Sequence, residues 1–471
     1  MIAIIIIFLG ALVCLFASIK KTENFAMPIA ITSIGIALVT TIMQLAAKAP
    51  WALEEKLQSG GMLIFDYSAQ LFSSILMLGT IIILLGFKSS KNLGADLLGL
   101  ILFSLCGGLI LTGFVHLVMM FLGIEILSIP LYVLAGANKQ AKDSNEAAIK
   151  YFLMGAFSTA ILLMGCAFMY GGSGTLYIAE IAKTTYMQGH LGVSTPLIFG
   201  GVILILIGFV FKVAGVPFHF WSPDVYEGSP TRATVFMASV VKVAAFAGFI
   251  RLFAIAFGEL QAHSWGNIVA IISALSILVG NSAATIQTNA KRLLAYSGIA
   301  QAGYMLIAFI NSNSGTALWN LLTYSAAYVL ASIIIFIIIG VLNQNGKDSS
   351  LESFRGIATN NKFISFAIVI AMLSMAGVPM TLGFVGKYNI LTSGFAVKPW
   401  LVIVALIGSA IGIGVYFKFF KNAFLDAVAE PMEKLSISIS QKIALGISIF
   451  GILFFGILPI FISNLKDFFV N

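Results

Sequence analysis

Charge is scarce in this sequence. Asp, Glu, Lys and Arg make up 9% of the 471 residues and hydrophobic residues 60%, whereas a soluble domain carries roughly 25% charged and about 45–50% apolar residues. Such a chain cannot cover a water-facing surface, so a soluble protein is excluded and a polytopic membrane protein is implied. Cysteine is almost missing: Cys14, Cys106 and Cys166 each lie in an apolar run, with no CxxC pair and no Cys/His cluster. Zinc, iron–sulfur and disulfide frameworks are therefore not expected, and the three read as packing residues. The four histidines are too few and too scattered for the facing axial ligands of a membrane haem. Neither GxGxxG after a strand nor GxxxxGK[ST] occurs, which leaves no nucleotide-binding domain to drive work. Whatever this chain does is driven by ions, the membrane potential or a partner.

Long apolar runs are abundant. Roughly fourteen are long enough to cross a bilayer, at 2–19, 26–47, 67–87, 95–112, 114–136, 147–170, 196–220, 232–257, 264–286, 293–311, 315–342, 361–393, 398–417 and 441–462. The fourth and fifth meet near Gly113 with almost no polar residue between them. Taken as one helix they would be too long for a hydrocarbon core of about 30 Å, so they are split. Short connections and no low-complexity linker make residues 1–471 a single all-α transmembrane domain.

The first run has no basic segment before it, and Lys20 and Lys21 follow it, which predicts a retained first helix with its N-terminus outside. Of the 26 Lys and Arg residues, three lie deep inside runs, and about 17 flank odd-numbered connections, among them Lys88, Lys91, Lys139, Lys142, Lys291, Arg292, Lys418 and Lys421. Only about six flank even-numbered ones, such as Lys48 and Lys183. Cytoplasmic loops carry the positive excess, so the odd connections should face the cytoplasm and both termini the outside. The net charge of +8 is then a topology signal, and no nucleic-acid partner is needed to explain it.

A short internal echo interrupts two runs: Ala214-Gly215-Val216-Pro217 returns as Ala376-Gly377-Val378-Pro379. Proline removes a helix hydrogen bond and clashes with the preceding turn, so each site should be a broken helix. Freed backbone groups are tolerated at membrane depth only against protein or a water-filled cavity. Paired interruptions of this kind point to an ion-handling site between repeats; a chance match of four small apolar residues is the plainer account.

Four charges stand where the bilayer makes them expensive, each costing about 2.5–3.5 kcal/mol even on lenient insertion scales. Glu125 lies mid-run in FLGIEILSIP, Lys212 just ahead of the first break, Lys242 in the middle of MASVVKVAAFAGF, and Lys387 eight residues past Pro379. Burial disfavours the charged form of an amine and a nearby carboxylate favours it, so relative movement of Glu125 and Lys212 would switch a lysine between holding and releasing a proton. Arginine, never deprotonated, could not do this. Plainer roles are an interhelical ion pair for Glu125 and Lys212, a bond to a freed carbonyl for Lys242, and a stem reaching the interface for Lys387. His219, seven residues after Lys212, could extend a proton relay or simply be packed. Glu146 and Lys150 have the i,i+4 spacing of a helix-end pair, and Asp224 and Glu227 in WSPDVYEGSPTRA read as capping residues of a structured loop.

The segment KVAGVPFHFWSPDVYEGSPT, Lys212 to Thr231, resembles the signature of the proton-translocating, antiporter-like membrane subunits of respiratory complex I, the NADH:quinone oxidoreductase, and looks most like its subunit N. SNEAAIKYFLMGAF, NAKRLLAYSGIAQAGYMLIA and LSMAGVPMTLGFVGKYNIL support the likeness, which covers almost the whole chain. The resemblance implies an antiporter-like fold of fourteen helices with two inverted five-helix repeats, here placed at 95–257 around Pro217 and 264–417 around Pro379. It also implies a proton path through Glu125, Lys212, Lys242 and Lys387. By the same resemblance this chain holds no cofactor. NADH, FMN, iron–sulfur clusters and quinone belong to partner subunits, its neighbours are other membrane subunits of complex I, antiporter-like ones included, and its place is the bacterial cytoplasmic membrane. A stand-alone or Mrp-like sodium/proton antiporter is the alternative. The sequence departs from the pattern at Gln301, where many relatives have histidine, and at Met380 and Leu382, where Pro and Ala are usual. Glutamine cannot titrate, so a relay there would need water or another side chain.

Overall fold

The computed structural model describes residues 1–20, 25–47, 61–88, 94–190, 196–260, 265–311, 316–425 and 432–464. Lys21, Lys48 and Lys91 of the orientation argument lie outside them. Helices account for nearly all of the regular structure: α1 Ile2–Ile19, α2 Ala26–Ala47, α3 Tyr67–Phe87, α4 Ala95–Gly113, α5 Leu117–Ala135, α6 Lys142–Ser173, α7 Ile178–His190 and α8 Pro196–Lys212. After a break come α9 Trp221–Gly228, α10 Thr231–Ile255, α11 Gly266–Thr285, α12 Ala290–Ile307, α13 Ala317–Gln344 and α14 Lys362–Ala376. A second break leads to α15 Leu382–Phe395, α16 Pro399–Phe420 and α17 Ile439–Ile457. Among the described residues, twelve helices are long and apolar enough to cross a membrane, and α8 and α14 are shorter apolar helices. The run divided near Gly113 is two helices. α4 stops at Gly113 and His116 caps α5, accepting the Val118 amide on Nδ1 at 3.2 Å.

The chain forms two compact units. The first comprises 1–81, 92–213 and 240–269, the second 82–91, 214–239 and 270–471. Helix packing inside the first is governed by small residues. On α6, Gly165 and Gly172 lie against Ile205 and Ile198, and on α8, Gly201 and Gly208 lie against Met169 and Leu162. Glycines seven apart on both helices let the backbones approach, as membrane helices without a hydrophobic drive toward each other require. A Cβ at Gly107 would stand 2.2 Å from the Leu127 nitrogen, so α4 and α5 touch backbone to backbone. In the second unit α13 is the central helix, packing on α14, α15 and α17.

Both breaks are real. The first covers residues 213–220, with Ala214 at φ +59° and a cis Val216–Pro217 peptide. The Val216 amide, freed from helix bonding, donates to Ser276 Oγ at 2.9 Å. The second has Gly377 at φ +83° and Met380 at φ +71°. Thr381 then caps α15, its hydroxyl accepting the Phe384 amide. Met380 therefore occupies the left-handed region, and Leu382 is the first helical residue after it.

The stretch after the first break is itself helical, α9, and its acids do not cap. Asp224 and Glu227 both accept from Arg292 Nη1, at 2.8 and 2.9 Å, clamping α9 to the start of α12. Glu146 and Lys150 form the expected pair at 2.6 Å. The three cysteines are free and buried.

Candidate functional site

In the first unit, Lys212 is the last residue of α8, at the end where unpaired carbonyls give a helix its partial negative charge. Its side chain is only 6% exposed. The ammonium donates to Ser128 Oγ at 2.6 Å, lies 3.5 Å from Tyr151 Oη and stands 5.6 Å from the centre of the Tyr151 ring. Glu125 is on α5, one turn before Ser128 and on the same face, and is half-buried. It makes no ion pair with Lys212 within 4 Å, the ammonium lying on Ser128 instead. Lys242, also in this unit, is fully buried. It follows a π-helical turn at Met237–Val241, the kind of local widening that recurs at functional sites.

In the second unit, Lys387 does not reach toward an interface. It is 7% exposed and its ammonium donates to the Ala376 carbonyl at 3.2 Å, the last residue of α14. It also lies 3.4 Å from Ser409 Oγ and 4.4 Å from the centre of the Tyr304 ring. Each unit thus presents a buried lysine to a serine hydroxyl and a tyrosine face, and in the second unit to a terminal helix carbonyl as well, an arrangement suited to holding an ammonium without an ion pair.

Gln301 sits among hydroxyls. Its Nε2 donates to Tyr416 Oη at 2.7 Å and to the Met375 carbonyl at 3.2 Å, while its Oε1 accepts from Tyr324 Oη. Tyr416 shares a 2.7 Å bond with Ser297, and one turn along α12 Tyr304 accepts from Ser409 at 3.0 Å. Tyrosines and serines surround the position where a titratable group was looked for. His219 is buried, its Nδ1 without a hydrogen-bond partner among the described residues.

The structure therefore places all four membrane charges of the sequence reading inside protein or half-buried: Glu125, Lys212 and Lys242 in the first unit, Lys387 in the second. The residues that actually touch the ammonium groups, Ser128, Tyr151, Ser409 and Tyr304, were not singled out from sequence.

Twelve membrane-length helices, two broken ones and buried lysines at the breaks define a polytopic ion-transport protein. The family model of the NADH:quinone oxidoreductase/Mrp antiporter membrane region matches residues 114–412. NADH-quinone oxidoreductase subunit N of Cytophaga hutchinsonii is 41% identical over 76% of this chain and 78% of its own length, and subunit N 1 of Chloroherpeton thalassium is 36% identical over 93% and 91%. A chain of respiratory complex I from Thermus thermophilus with bound aureothin superposes with a TM-score of 0.79 at 30% identity, covering 97% of each chain. A chain of the Mrp complex of Dietzia sp., at 18% identity and TM-score 0.78, shares the fold over 91% of this chain and 80% of its own. The chain belongs to the NADH:quinone oxidoreductase/Mrp antiporter family, with the subunits N of NADH-quinone oxidoreductases.

Proposed function

We propose that this chain is the proton-translocating membrane subunit N of a bacterial NADH:quinone oxidoreductase, coupling quinone reduction in partner subunits to proton transfer through its own buried carboxylate and amines. Lysines buried beside the two helix breaks carry the reading. A lysine, unlike an arginine, can give up its proton and take one up again, so a change in the nearby charges can move one. Glu125 is the carboxylate whose approach would favour the charged form of Lys212, Lys242 continues the path, and Lys387 is its outer member, with His219 as a possible further carrier. In this reading the redox chemistry, with NADH, FMN, iron–sulfur clusters and quinone, resides in partner subunits, and this chain contributes no redox centre. The repeats are the segments 95–257 and 264–417. The chain lies in the cytoplasmic membrane with both termini outside, bounded by other membrane subunits, antiporter-like ones included.

The test is Lys212→Ala and Glu125→Ala in the assembled enzyme. Proton pumping coupled to NADH oxidation should fall by about a hundredfold or more, the lower end of what a positioned acid or base contributes. Near-normal pumping in either variant, with assembly verified, would sink the roles assigned to these residues. The alternative, an Mrp-like sodium/proton exchanger, has in its support only the fold shared with the Mrp chain, and the two readings part over sodium, as argued below.

A further inference from the structure

Lys212 has a hydrogen-bonding dock that is not its carboxylate. Ser128 Oγ donates its own hydrogen to the Ile124 carbonyl within α5, so the lone pairs of that oxygen are what it offers Lys212 at 2.6 Å. Ser128 and Tyr151 are each about 1% exposed, and the dock is closed to solvent. Glu125 stands one turn from Ser128 on the same face, where side chains at i and i+3 are neighbours roughly 5–6 Å apart at Cβ. A four-carbon lysine stem spans that interval by changing rotamers, without backbone movement.

The second unit repeats the arrangement independently. Lys387 meets Ser409 and Tyr304, and no carboxylate pairs with it within 4 Å among the described residues. A serine, a tyrosine and a helix end thus suffice to hold a buried lysine in this protein.

We infer that Ser128, with Tyr151, is a latch that holds the Lys212 ammonium one turn away from Glu125, making the lysine a two-position element. On Glu125 the proton is retained by the carboxylate. On Ser128 the lysine has a neutral acceptor and no ion pair, and from there its proton passes to the next carrier, which the proposed path places at Lys242, leaving Lys212 neutral until it is reprotonated. A partner's charge can then move the population between the two docks, by as much as it favours one over the other. Ser128 is in this sense a positioning residue acting through Lys212, and the inference rests on the proton-transfer role proposed for that lysine.

The experiment uses the intact enzyme in proteoliposomes, with Ser128→Ala, Ser128→Thr and Lys212→Ala, and reads protons pumped per NADH oxidised together with the structure of the S128A enzyme. Ser128→Ala is expected to lower pumping about tenfold at unchanged assembly, while Ser128→Thr, which keeps the hydroxyl, stays within about twofold of the parent. In the S128A structure the Lys212 ammonium should lie within hydrogen-bond reach of Glu125. The latch is overturned if S128A pumps normally, if S128T is as impaired as S128A, or if Lys212 stays on Tyr151 in the variant. Normal pumping by K212A would instead overturn the role of the lysine itself, and the latch with it.

Discussion

Arg251 shows how a single buried charge can be structural where its lysine neighbours are not. Its Nε donates to the Phe114 carbonyl at 2.6 Å, Nη1 to Asp66 at 2.9 Å and to the Thr112 carbonyl at 3.2 Å, and Nη2 reaches the Ile64 carbonyl at 3.4 Å. The carbonyls of Thr112 and Phe114 come from the end of α4, where a helix leaves acceptors unpaired. A permanently charged, five-donor fork satisfies several at once, which an ammonium cannot do. Arg251→Leu would strand these buried acceptors and Asp66. A buried acceptor left without its partner costs about 1–3 kcal/mol, and the Phe114 and Thr112 carbonyls both lose theirs, so the variant should accumulate in the membrane well below the parent level, whereas Lys212→Ala should accumulate normally. Immunoblots of membranes decide it, and parent-level accumulation of R251L would refute the anchoring role. None of this was legible in sequence, where Arg251 is one more basic residue near the end of a run. Its partners are 137 to 187 residues away. Glu125, Lys212, Lys242 and Lys387 were legible because a charge inside an apolar run needs no partner to be conspicuous.

At the scale of the element, the two breaks were read from Gly and Pro alone, and both exist, because proline's missing donor acts locally. What surrounds them was not readable. The π turn before Lys242 depends on tertiary packing, and serine and tyrosine are too common in membrane helices for Ser409 or Tyr304 to be noticed. The loop WSPDVYEG looked irregular because of its proline, yet it is helix α9, with Pro223 in its first turn, where a missing amide costs nothing. The second break makes a sharper prediction than the first. Gly377 is left-handed at φ +83°, and a Cβ there would stand 3.1 Å from Lys387 Cδ and 3.5 Å from Nζ. Gly377→Ala therefore combines about 1–2 kcal/mol of backbone strain with displacement of the ammonium from Ala376 and Ser409. Ala214, left-handed already at φ +59°, can become glycine without either effect. Pumping by G377A should fall severalfold and its thermal midpoint drop, while A214G stays near the parent in both. Equal behaviour of the two variants would show that the geometry around Gly377 does not hold Lys387 in place.

Across the whole molecule, the scarcity of charge resolves into a sign. The buried charged side chains among the described residues are Lys212, Lys242, Arg251, Lys291 and Lys387, and no Asp or Glu is among them. Arg251 pairs with Asp66, which is itself part-exposed, and Glu125, the acid on the helix that docks Lys212, is half-buried. Sodium is a hard cation that needs several oxygen ligands, and in a low-dielectric interior its approach to fixed ammonium groups is strongly unfavourable. A proton has no such difficulty, since an amine carries it as its own charge. Breaks and lysines do not choose between a complex I subunit and a sodium/proton exchanger, because both readings share them; the choice rests on the likeness to the subunits N, and the electrostatics of sodium against buried lysines gives it a test. Proton pumping by the intact enzyme should accordingly be unchanged, within about twofold, when all sodium is replaced by potassium or choline, and no sodium-22 uptake should accompany NADH oxidation. The chain should also leave the membrane in mild detergent together with flavin- and iron–sulfur-containing subunits, seen as co-eluting visible absorbance. Sodium-dependent pumping, or an isolated chain exchanging sodium for protons in liposomes, would return the assignment to the exchanger, with Glu125 as the acid through which sodium would then have to be handled.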